Sequence, residues 1–383
     1  MGKKLLALAG GGTGGHFFPM LAFAEYVRER GIFKGLVYIG DKDGIEAKKD
    51  FLLWGLMDEY KFLSVAKFRG RTFVGKFLSI IQNAIATLKV ASYLQFSDFI
   101  SVTFGGYTSV PLGLYTKLAF KPLFIHEQNS IPGKGNTFLG NFAERVFIGF
   151  PRAERFFPDY KVVLTGIPIR REVKRYKGIP REKILKSLKW DDKFTILVLG
   201  GSQGAKTLNQ IAVWLSQQLP SDVRIIHITG ESQFKSIKAL YQINPPKCEV
   251  RLYPFVEDIG RFYRISDIAI SRAGASTSAE LSFFGIPTVF IPYPYAVDDH
   301  QFYNAYYYVE MGGAYVFREE ELEFKKLLDI VLQHFKDEYL HQQKREAMER
   351  SFIPNAEEKM LREISLALGE SFSLEESKNF ETL

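Results

Sequence analysis

The feature that most constrains the fold is a short apolar segment that leads into a glycine-rich loop and then a helix, and it opens both halves of the chain. Lys3–Ala9 is a predicted strand followed by the loop Gly10–Gly15. Lys193–Leu199 is a predicted strand followed by the loop Gly200–Gly204. This order is typical of the βαβ units of doubly wound parallel sheets. The sequence therefore predicts an α/β fold, and its 383 residues are enough for two domains of ordinary size.

Other short apolar segments predict the remaining strands. They are Leu36–Ile39, Phe99–Thr103, Leu123–Ile125, Val146–Ile148, Val223–Ile228, Glu249–Tyr253, Asp267–Ile270 and Ile286–Pro292. We expect Val146–Ile148 to be the last strand of the first half and Val162–Pro168 to lead into an interdomain linker. The predicted domains are 1–164 and 165–350. We expect a helix at 354–368 to pack back on the first domain and a polar tail at 369–383.

Cysteine content and hydropathy exclude some protein classes. Cys248 is the single cysteine, so an internal disulfide framework is excluded, which fits a reducing compartment. We find no apolar run that approaches the roughly 20 residues of a transmembrane helix. The apolar start of the chain runs directly into Gly10–Gly15, so we interpret it as a strand rather than a signal peptide. A soluble or peripheral protein is expected.

The positive charge lies in the first half of the chain. Residues 1–162 hold about 21 Lys and Arg against 13 Asp and Glu, whereas the whole chain has a net charge of +7. Between Glu59 and Asp98 there is no acidic residue, and basic side chains alternate with large apolar ones. This composition suits an anionic membrane surface or a nucleic acid. The aliphatic residues favour the membrane, although a core helix with a solvated basic face has the same pattern. The residues concerned are Lys61, Lys67, Arg69, Arg71, Phe73, Lys76, Phe77, Leu78, Ile80, Ile81 and Lys89.

A segment in the second half combines a strand, a turn of small residues and a short helix. The strand ends at Ile270, the turn contains Gly274–Ser276, and Glu280 lies about one helical turn further on. Free backbone N–H groups at a helix start suit a diphosphate, and a carboxylate one turn later can accept hydrogen bonds from a ribose diol. We expect Ser276 or Thr277 to cap this helix. An ordinary strand–helix turn with a solvated Glu280 remains the alternative.

The first glycine loop raises a different possibility. Gly10–Gly15 satisfies the spacing G-x-G-x-x-G, and Asp41 follows the second predicted strand, so a nicotinamide-dependent dehydrogenase must be considered. Further loops lie at Phe104–Tyr107 and Gly200–Gly204, and three such loops argue against that enzyme class. The spacing of the six histidines matches no metal motif, and we expect neither metal nor cofactor.

His16 is the natural candidate for a general base. It stands at the start of the first predicted helix, directly after a glycine loop. A neutral imidazole near pH 7 can take the proton of an attacking hydroxyl group. A capping or hydrogen-bonding role is the alternative.

Five motifs in this order resemble those of the MurG family. They are Gly10–His16, His126–Asn129, Gly200–Gly204, Gly274–Glu280 and Asp298–Gln301 with Asn304. The resemblance spans about residues 3 to 310 and implies the GT-B fold, in which two Rossmann-like domains face each other across a central cleft. It implies an inverting transfer of N-acetylglucosamine from UDP-N-acetylglucosamine to lipid I, the undecaprenyl-diphospho-muramoyl-pentapeptide, giving lipid II. Departures from the family pattern stand at Ile167, Ser276 and Tyr295.

The resemblance also implies roles for individual residues. His16 corresponds to the proposed base, Arg170 to a residue that offsets leaving-group charge, and Val256 to one that reads uracil through its backbone. The other implied substrate contacts are Thr13, Gly14, Gly15, Tyr107, Asn129, Ser202, Ala275, Ser276, Thr277, Ser278, Ala279, Glu280, Gln301 and Asn304. Besides the two substrates, the implied partner is an anionic membrane surface on the cytoplasmic face of the inner membrane, reached through residues 61–89 with Lys117–Lys121 adjoining. No nucleic-acid partner is expected.

Overall fold

The computed structural model describes residues 4–65, 73–201 and 204–369, without the side chains of residues 73–77. In the described part of the chain, the first sheet has seven parallel strands in the order β3-β2-β1-β4-β5-β6-β7. These strands are β1 Leu5–Ala9, β2 Gly35–Asp41, β3 Glu59–Leu63, β4 Phe99–Thr103, β5 Leu123–Glu127, β6 Arg145–Ile148 and β7 Val162–Leu164. The second sheet has six described parallel strands in the order β10-β9-β8-β11-β12-β13. They are β8 Phe194–Leu199, β9 Val223–Ile228, β10 Glu249–Tyr253, β11 Ile268–Ser271, β12 Thr288–Phe290 and β13 Ala314–Val316.

Helices cover both faces of each sheet. In the first half they are α1 Gly14–Glu29, α2 Ile45–Lys48, α3 Phe73–Leu94, α4 Ser109–Leu118 and α5 Lys134–Gly140. In the second half they are α6 Arg171–Lys174, α7 Arg181–Leu188, α8 Lys206–Ser216, α9 Phe234–Ile243, α10 Gly260–Ile265, α11 Ala275–Phe283, α12 His300–Glu310, α13 Phe324–Lys336, α14 Glu338–Arg350 and α15 Ala356–Leu368. None of the described helices is long and apolar enough to cross a membrane.

The central strands are buried on both faces. In β1, Leu6 and Leu8 pack into one apolar cluster, whereas Ala7 and Ala9 pack into the cluster on the opposite face. Successive strand residues point to opposite sides of a sheet, so this division follows from the pleat. A parallel sheet between two helical layers needs such continuously apolar strands. The predicted α/β class with two doubly wound, Rossmann-like sheets is confirmed.

The last helix lies on the first half of the molecule. Met360, Leu361 and Ile364 of α15 belong to the same buried cluster as Leu6 and Phe17. The start of α15 also meets the segment that connects the two sheets. There, Glu357 accepts hydrogen bonds from the backbone N–H of Ile169 and from the Lys174 ammonium group at 3.2 and 2.6 Å.

Several predicted boundaries were wrong. The last strand of the first sheet is Val162–Leu164 rather than Val146–Ile148, so the chain leaves this sheet one strand later than expected. Two edge strands, β3 and β13, had not been predicted. The strand expected at Ile286–Pro292 contributes only Thr288–Phe290 to the ladder, because its ends turn into loops.

Candidate active site

Both sheets bring their glycine-rich loops to the point where the strand order reverses. In the first sheet this point lies between β1 and β4, which are followed by the loops at 10–13 and 104–107. In the second sheet it lies between β8 and β11, which are followed by the loops at 200–205 and 272–274. Open α/β sheets bind ligands at the carboxyl ends of strands at such reversals. The sites predicted from the two halves therefore occupy equivalent places in the two sheets.

The two loops of the first sheet touch each other. Gly106 has φ +79°, and a Cβ atom there would lie 2.4 Å from the carbonyl oxygen of Gly11. Only glycine combines this left-handed conformation with such a close approach. The second glycine loop thus closes against the first and forms one wall beside the start of α1.

A buried carboxylate occupies the first glycine loop. Glu46 is fully buried, and its two carboxylate oxygens accept hydrogen bonds from the backbone N–H of Gly12 at 3.1 and 2.8 Å. The backbone N–H of Asp41 donates to the same side chain at 2.9 Å. The N–H group of Gly12, which a dinucleotide pyrophosphate would need as a donor, is therefore already bonded to a carboxylate. The dehydrogenase alternative therefore fails at the glycine loop that suggested it.

His16 lies in the first turn of α1 and belongs to a chain of polar side chains. Its Nδ1 is 2.8 Å from Gln128 Oε1, Gln128 Nε2 is 3.0 Å from His126 Nδ1, and His126 Nε2 is 2.9 Å from the carbonyl oxygen of Gly166. His126 is fully buried, and this burial lowers its pKa to about 4. The chain connects the candidate base to the segment that follows β7.

The start of α11 meets the start of α1. The hydroxyl group of Ser276 donates a hydrogen bond to the carbonyl oxygen of Gly15 at 3.3 Å. Pro19, four residues after Gly15, has no N–H, so this carbonyl lacks its usual partner within α1. Two helix N-termini, each with a partial positive charge, thus come together between the sheets. The expected capping role of Ser276 or Thr277 is wrong, because Gly274 precedes α11 and no side chain caps it.

Glu280 is buried rather than solvated. It is 8% exposed, and its Oε2 accepts a hydrogen bond from the Tyr263 hydroxyl group at 2.9 Å. Burial raises the pKa of Glu280, and the positive charge of Arg170 acts in the opposite direction. The guanidinium carbon of Arg170 lies 4.2 Å from the ring centroid of Phe18 on α1. Arg170 and Glu280 are therefore electrostatic neighbours at the junction of the two halves, where Arg170 also forms an ion pair with Glu172.

Asn304 bridges the two halves. Its side chain is fully buried, its Oδ1 accepts from the backbone N–H of Ser130 at 2.8 Å, and its Nδ2 donates to Asn129 Oδ1 and to the carbonyl oxygen of Ala273, each at 3.1 Å. These bonds hold the loop after β5 against the second sheet. Its predicted contact with a sugar stays a prediction.

The remaining predicted residues lie around these contacts. Gln301 accepts a hydrogen bond from the backbone N–H of Tyr293 at 3.0 Å. Val256 is half-buried after β10. Tyr107 packs against the cluster beneath the first loop, and Thr13 immediately precedes α1. Ser278 bonds back to the carbonyl of Gly274 at 3.0 Å. Gly14 begins α1, Ala275 and Ala279 are buried in α11, and Ser202 lies outside the described residues.

Four residues that the sequence interpretation had not assigned to the site contribute to it: Gln128, Glu46, Tyr263 and Phe18. Gln128 could have been found, since it stands beside Asn129 just after β5. Tyr263 and Glu46 carry no comparable signal, because their partners become visible only once α10 and α2 are placed. In the described residues, no group of three or more His, Cys, Asp or Glu side chains could hold a metal ion.

Comparisons with known proteins agree with this architecture. The sequence model of the glycosyltransferase family 28 N-terminal domain matches residues 6–148, and that of the family 28 C-terminal domain matches residues 195–360. A curated relative from Aquifex aeolicus is 42% identical over 361 residues. It is named UDP-N-acetylglucosamine–N-acetylmuramyl-(pentapeptide) pyrophosphoryl-undecaprenol N-acetylglucosamine transferase. That match covers 94% of this chain and 99% of the relative. The chain belongs to the MurG family of glycosyltransferases.

Solved structures extend the comparison. MurG of Acinetobacter baumannii has a TM-score of 0.72 at 27% identity, and the match covers 95% of this chain and 99% of that chain. A UDP-GlcNAc 2-epimerase of Neisseria meningitidis bound to UDP-GlcNAc has a TM-score of 0.67 at 13% identity and covers 94% of this chain and 99% of its own. At that identity the epimerase supports the GT-B fold alone.

Proposed function

We propose that this member of the MurG family transfers N-acetylglucosamine from UDP-N-acetylglucosamine to the muramoyl C4 hydroxyl group of lipid I, with inversion at the anomeric carbon. The product is lipid II, a precursor of peptidoglycan. The 42% identity to the Aquifex aeolicus transferase, which extends over 94% of this chain, carries this proposal. The meeting of the α1 and α11 N-termini beside His16 supports it, because two diphosphate-bearing substrates can then lie side by side.

The donor is assigned to the second half of the molecule. Its diphosphate lies at the start of α11, close to Thr277, and its ribose diol bonds to Glu280. The bond from Tyr263 leaves acceptor capacity on that carboxylate, since two oxygens offer about four lone-pair sites. The negative charge that develops on the departing UDP is offset by Arg170 and by the helix N-terminus.

The acceptor is assigned to the first half. Its diphosphate lies along Thr13–Gly15, and its muramoyl group lies toward Tyr107 and Asn129. His16 removes the proton of the C4 hydroxyl group while the oxygen attacks the anomeric carbon. The bond to UDP breaks in the same displacement, and its electron pair leaves with the diphosphate. General-base catalysis of this kind typically contributes about 10²–10⁴ in rate.

Incubation of the protein with UDP-N-acetylglucosamine labelled in the sugar and a lipid I analogue tests the proposal. We expect label to enter the lipid fraction, and we expect none with a 4-deoxy-muramoyl analogue, which lacks the attacking oxygen. Label that stays in the nucleotide-sugar pool, or appears there as an epimer, would refute the transferase assignment.

We further propose that the first half of the molecule binds the cytoplasmic surface of the bacterial inner membrane as a peripheral protein. The described part of α3 supports this, because Leu78, Ile81, Ile85 and Leu88 form one exposed stripe with spacings of three and four residues. Their exposed fractions are 42–70%. Exposed apolar patches mark interaction surfaces. A polyprenyl acceptor that stays in the bilayer requires its enzyme to approach the surface.

The neighbouring helix extends this apolar face. α4 packs beside α3, and Leu118 and Phe120 at its end are 70% and 92% exposed. Lys89 and Lys117 are exposed nearby. Large aliphatic side chains suit lipid better than nucleic acid. Lys67, Arg69 and Arg71, predicted to add anionic-lipid attraction, lie outside the described residues.

Flotation with liposomes tests the membrane proposal. The combined substitutions Ile81→Ser, Ile85→Ser and Leu88→Ser should abolish flotation without loss of fold, because all three side chains are at least 42% exposed. The pair Ile243→Ser and Leu366→Ser, which removes side chains that are 75% and 64% exposed, is the matched control and should float like the wild type. Equal flotation of the triple variant and the wild type would place the membrane contact elsewhere.

A further inference from the structure

The polar chain from Gly166 to His16 fixes where the hydrogen atoms lie. We propose that Gln128 and His126 are positioning residues that hold His16 in the tautomer with hydrogen on Nδ1, so that Nε2 is the atom that receives the proton of the acceptor hydroxyl group. This inference rests on the proposed role of His16 as the base.

The series of hydrogen bonds begins at a backbone carbonyl oxygen, which can only accept. The carbonyl oxygen of Gly166 lies 2.9 Å from His126 Nε2, so this nitrogen must carry a hydrogen atom. His126 is fully buried and its pKa is lowered to about 4, so the ring is neutral near pH 7. A neutral imidazole has one N–H group. Nδ1 of His126 therefore presents a lone pair.

The side-chain amide of Gln128 links His126 to His16, because it donates to the first ring and accepts from the second. The lone pair on His126 Nδ1 requires a donor, and the side-chain amide of Gln128 provides one through Nε2 at 3.0 Å. The amide oxygen is then directed toward His16 Nδ1, 2.8 Å away. An amide oxygen only accepts, so His16 Nδ1 must carry the hydrogen atom. In the neutral form of His16, Nε2 therefore presents the lone pair that can accept a proton.

The surrounding groups prevent this series of hydrogen bonds from running in the opposite donor-to-acceptor direction. Gln128 Nε2 also lies 3.2 Å from the carbonyl oxygen of His126, which would repel the amide oxygen if the side chain were flipped. Phe104 stacks on His126 with ring centroids 5.4 Å apart. A Cβ atom on Gly105 would lie 3.0 Å from His16 Nδ1, so the second glycine loop packs directly on the imidazole.

The anchor of the chain is itself fixed. Gly166 has φ +83°, and a Cβ atom there would lie 2.5 Å from the carbonyl oxygen of Ile353. Gly166 follows β7, in the segment that leads from the first sheet to the second. The orientation of the base is thus set by the backbone that joins the two halves.

Nitrogen NMR of histidine side chains tests the proposal directly. In the full-length protein labelled with 15N-histidine, two-bond correlation spectra distinguish the two tautomers of each ring. Near pH 7.5 we expect His16 with hydrogen on Nδ1 and His126 with hydrogen on Nε2. Hydrogen on Nε2 of His16 in the wild type would overturn the proposal, and this measurement depends on no variant that might fail to fold.

Substitution of Gln128 tests the consequence for the reaction. Gln128→Met keeps the length of the side chain but removes both its donor and its acceptor. We expect a mixture of His16 tautomers and a fall in kcat of about 10- to 100-fold, smaller than the ~10²–10⁴ bound for loss of the base itself. KM for UDP-N-acetylglucosamine should stay within about twofold. Gln128→Glu retains an acceptor for His16 Nδ1. The decrease in log kcat caused by Gln128→Met should therefore be at least halved in Gln128→Glu.

A matched control removes another buried side-chain hydrogen bond of the same domain. Thr116→Val breaks the 2.7 Å contact between the fully buried hydroxyl groups of Thr116 and Ser101, in the body of the sheet rather than at its carboxyl edge. We expect kcat and the His16 tautomer to be unchanged. If Gln128→Met and Thr116→Val reduce kcat equally while His16 keeps its hydrogen on Nδ1, Gln128 has only a structural role. An inactive wild-type protein would instead refute the proposed function and leave the tautomer measurement intact.

Discussion

Glu280 offers the sharpest test of the donor site, because its carboxylate has a structural partner and a proposed ligand partner. Its Oε2 accepts the hydrogen bond from the Tyr263 hydroxyl group at 2.9 Å, and Glu280 itself is 8% exposed. A hydrogen bond to a charged group contributes about 1.5–3 kcal/mol. If the ribose diol makes such a bond to Glu280, the replacement Glu280→Gln should weaken UDP binding by roughly 10- to 100-fold, since 1.4 kcal/mol is tenfold. Glu280→Ala should weaken it at least as much, although it also leaves the Tyr263 hydroxyl group without its acceptor.

Tyr263→Phe separates the two partners of Glu280. It deletes the structural bond and leaves the carboxylate in place, so we expect the free energy of unfolding to fall by about 1–3 kcal/mol while UDP affinity changes less than about threefold. Isothermal titration calorimetry with UDP, together with urea unfolding of each variant, provides both readings. Unchanged UDP affinity in a folded Glu280→Gln variant would refute the ribose contact. An affinity loss in Tyr263→Phe as large as that in Glu280→Gln would show that the contact is indirect.

Three further predictions concern the base, the membrane and pH. His16→Ala should reduce kcat by about 10²–10⁴ with nearly constant donor affinity, and a loss below about tenfold in steady-state assays would leave His16 with a structural role. Replacement of Lys67, Arg69 and Arg71 by Glu should reduce liposome flotation most at low salt and high anionic-lipid content, and flotation equal to that of the wild type would exclude these cations from the contact. Burial lowers the pKa of His227 to about 3, so between pH 6.5 and 4 the unfolded chain takes up a proton that the folded chain refuses. Stability should therefore fall with decreasing pH by up to about 1.4 kcal/mol per unit from this residue, and urea unfolding of His227→Gln should show a shallower slope.

The sequence predicts the interior of the fold better than its edges. The predicted central strands Phe99–Thr103 and Val223–Ile228 have the observed bounds, because every residue in them is buried. The edge strand Glu249–Tyr253 also has the predicted bounds, since its Val250 packs against one apolar cluster and its Tyr253 against another. The edge strand β3, Glu59–Leu63, is exposed or half-buried at every position but the last, so it lacks an apolar run. β13 has only three residues. These edge strands form because the adjacent strand of the sheet offers backbone hydrogen bonds. The local sequence does not indicate where such a neighbour lies.

The candidate site follows the same division between local and distant information. Glycine loops after apolar strands locate the carboxyl edges of both sheets, and so His16 and Glu280 could be singled out. Their partners depend on packing between distant segments. The hydrogen bond between Asn304 and Ser130 joins residues 174 positions apart, and that between Ser276 and Gly15 spans 261. The spacing of residues within one motif carries no information about such contacts.

Polar contacts join the two halves at the site, and a substrate that enters can replace such contacts with its own hydrogen bonds. Ser276, Asn304 and Asn129 bond to groups across the junction at 2.8–3.3 Å. Each neutral hydrogen bond contributes only about 0.5–1.5 kcal/mol net, because water replaces the lost partner. A sugar hydroxyl group that takes over the amide of Asn304 therefore exchanges one such bond for another at little cost. Residues that hold the halves together here are suited to release each other when a ligand supplies equivalent partners, and an apolar seam at the same place could not be exchanged in this way.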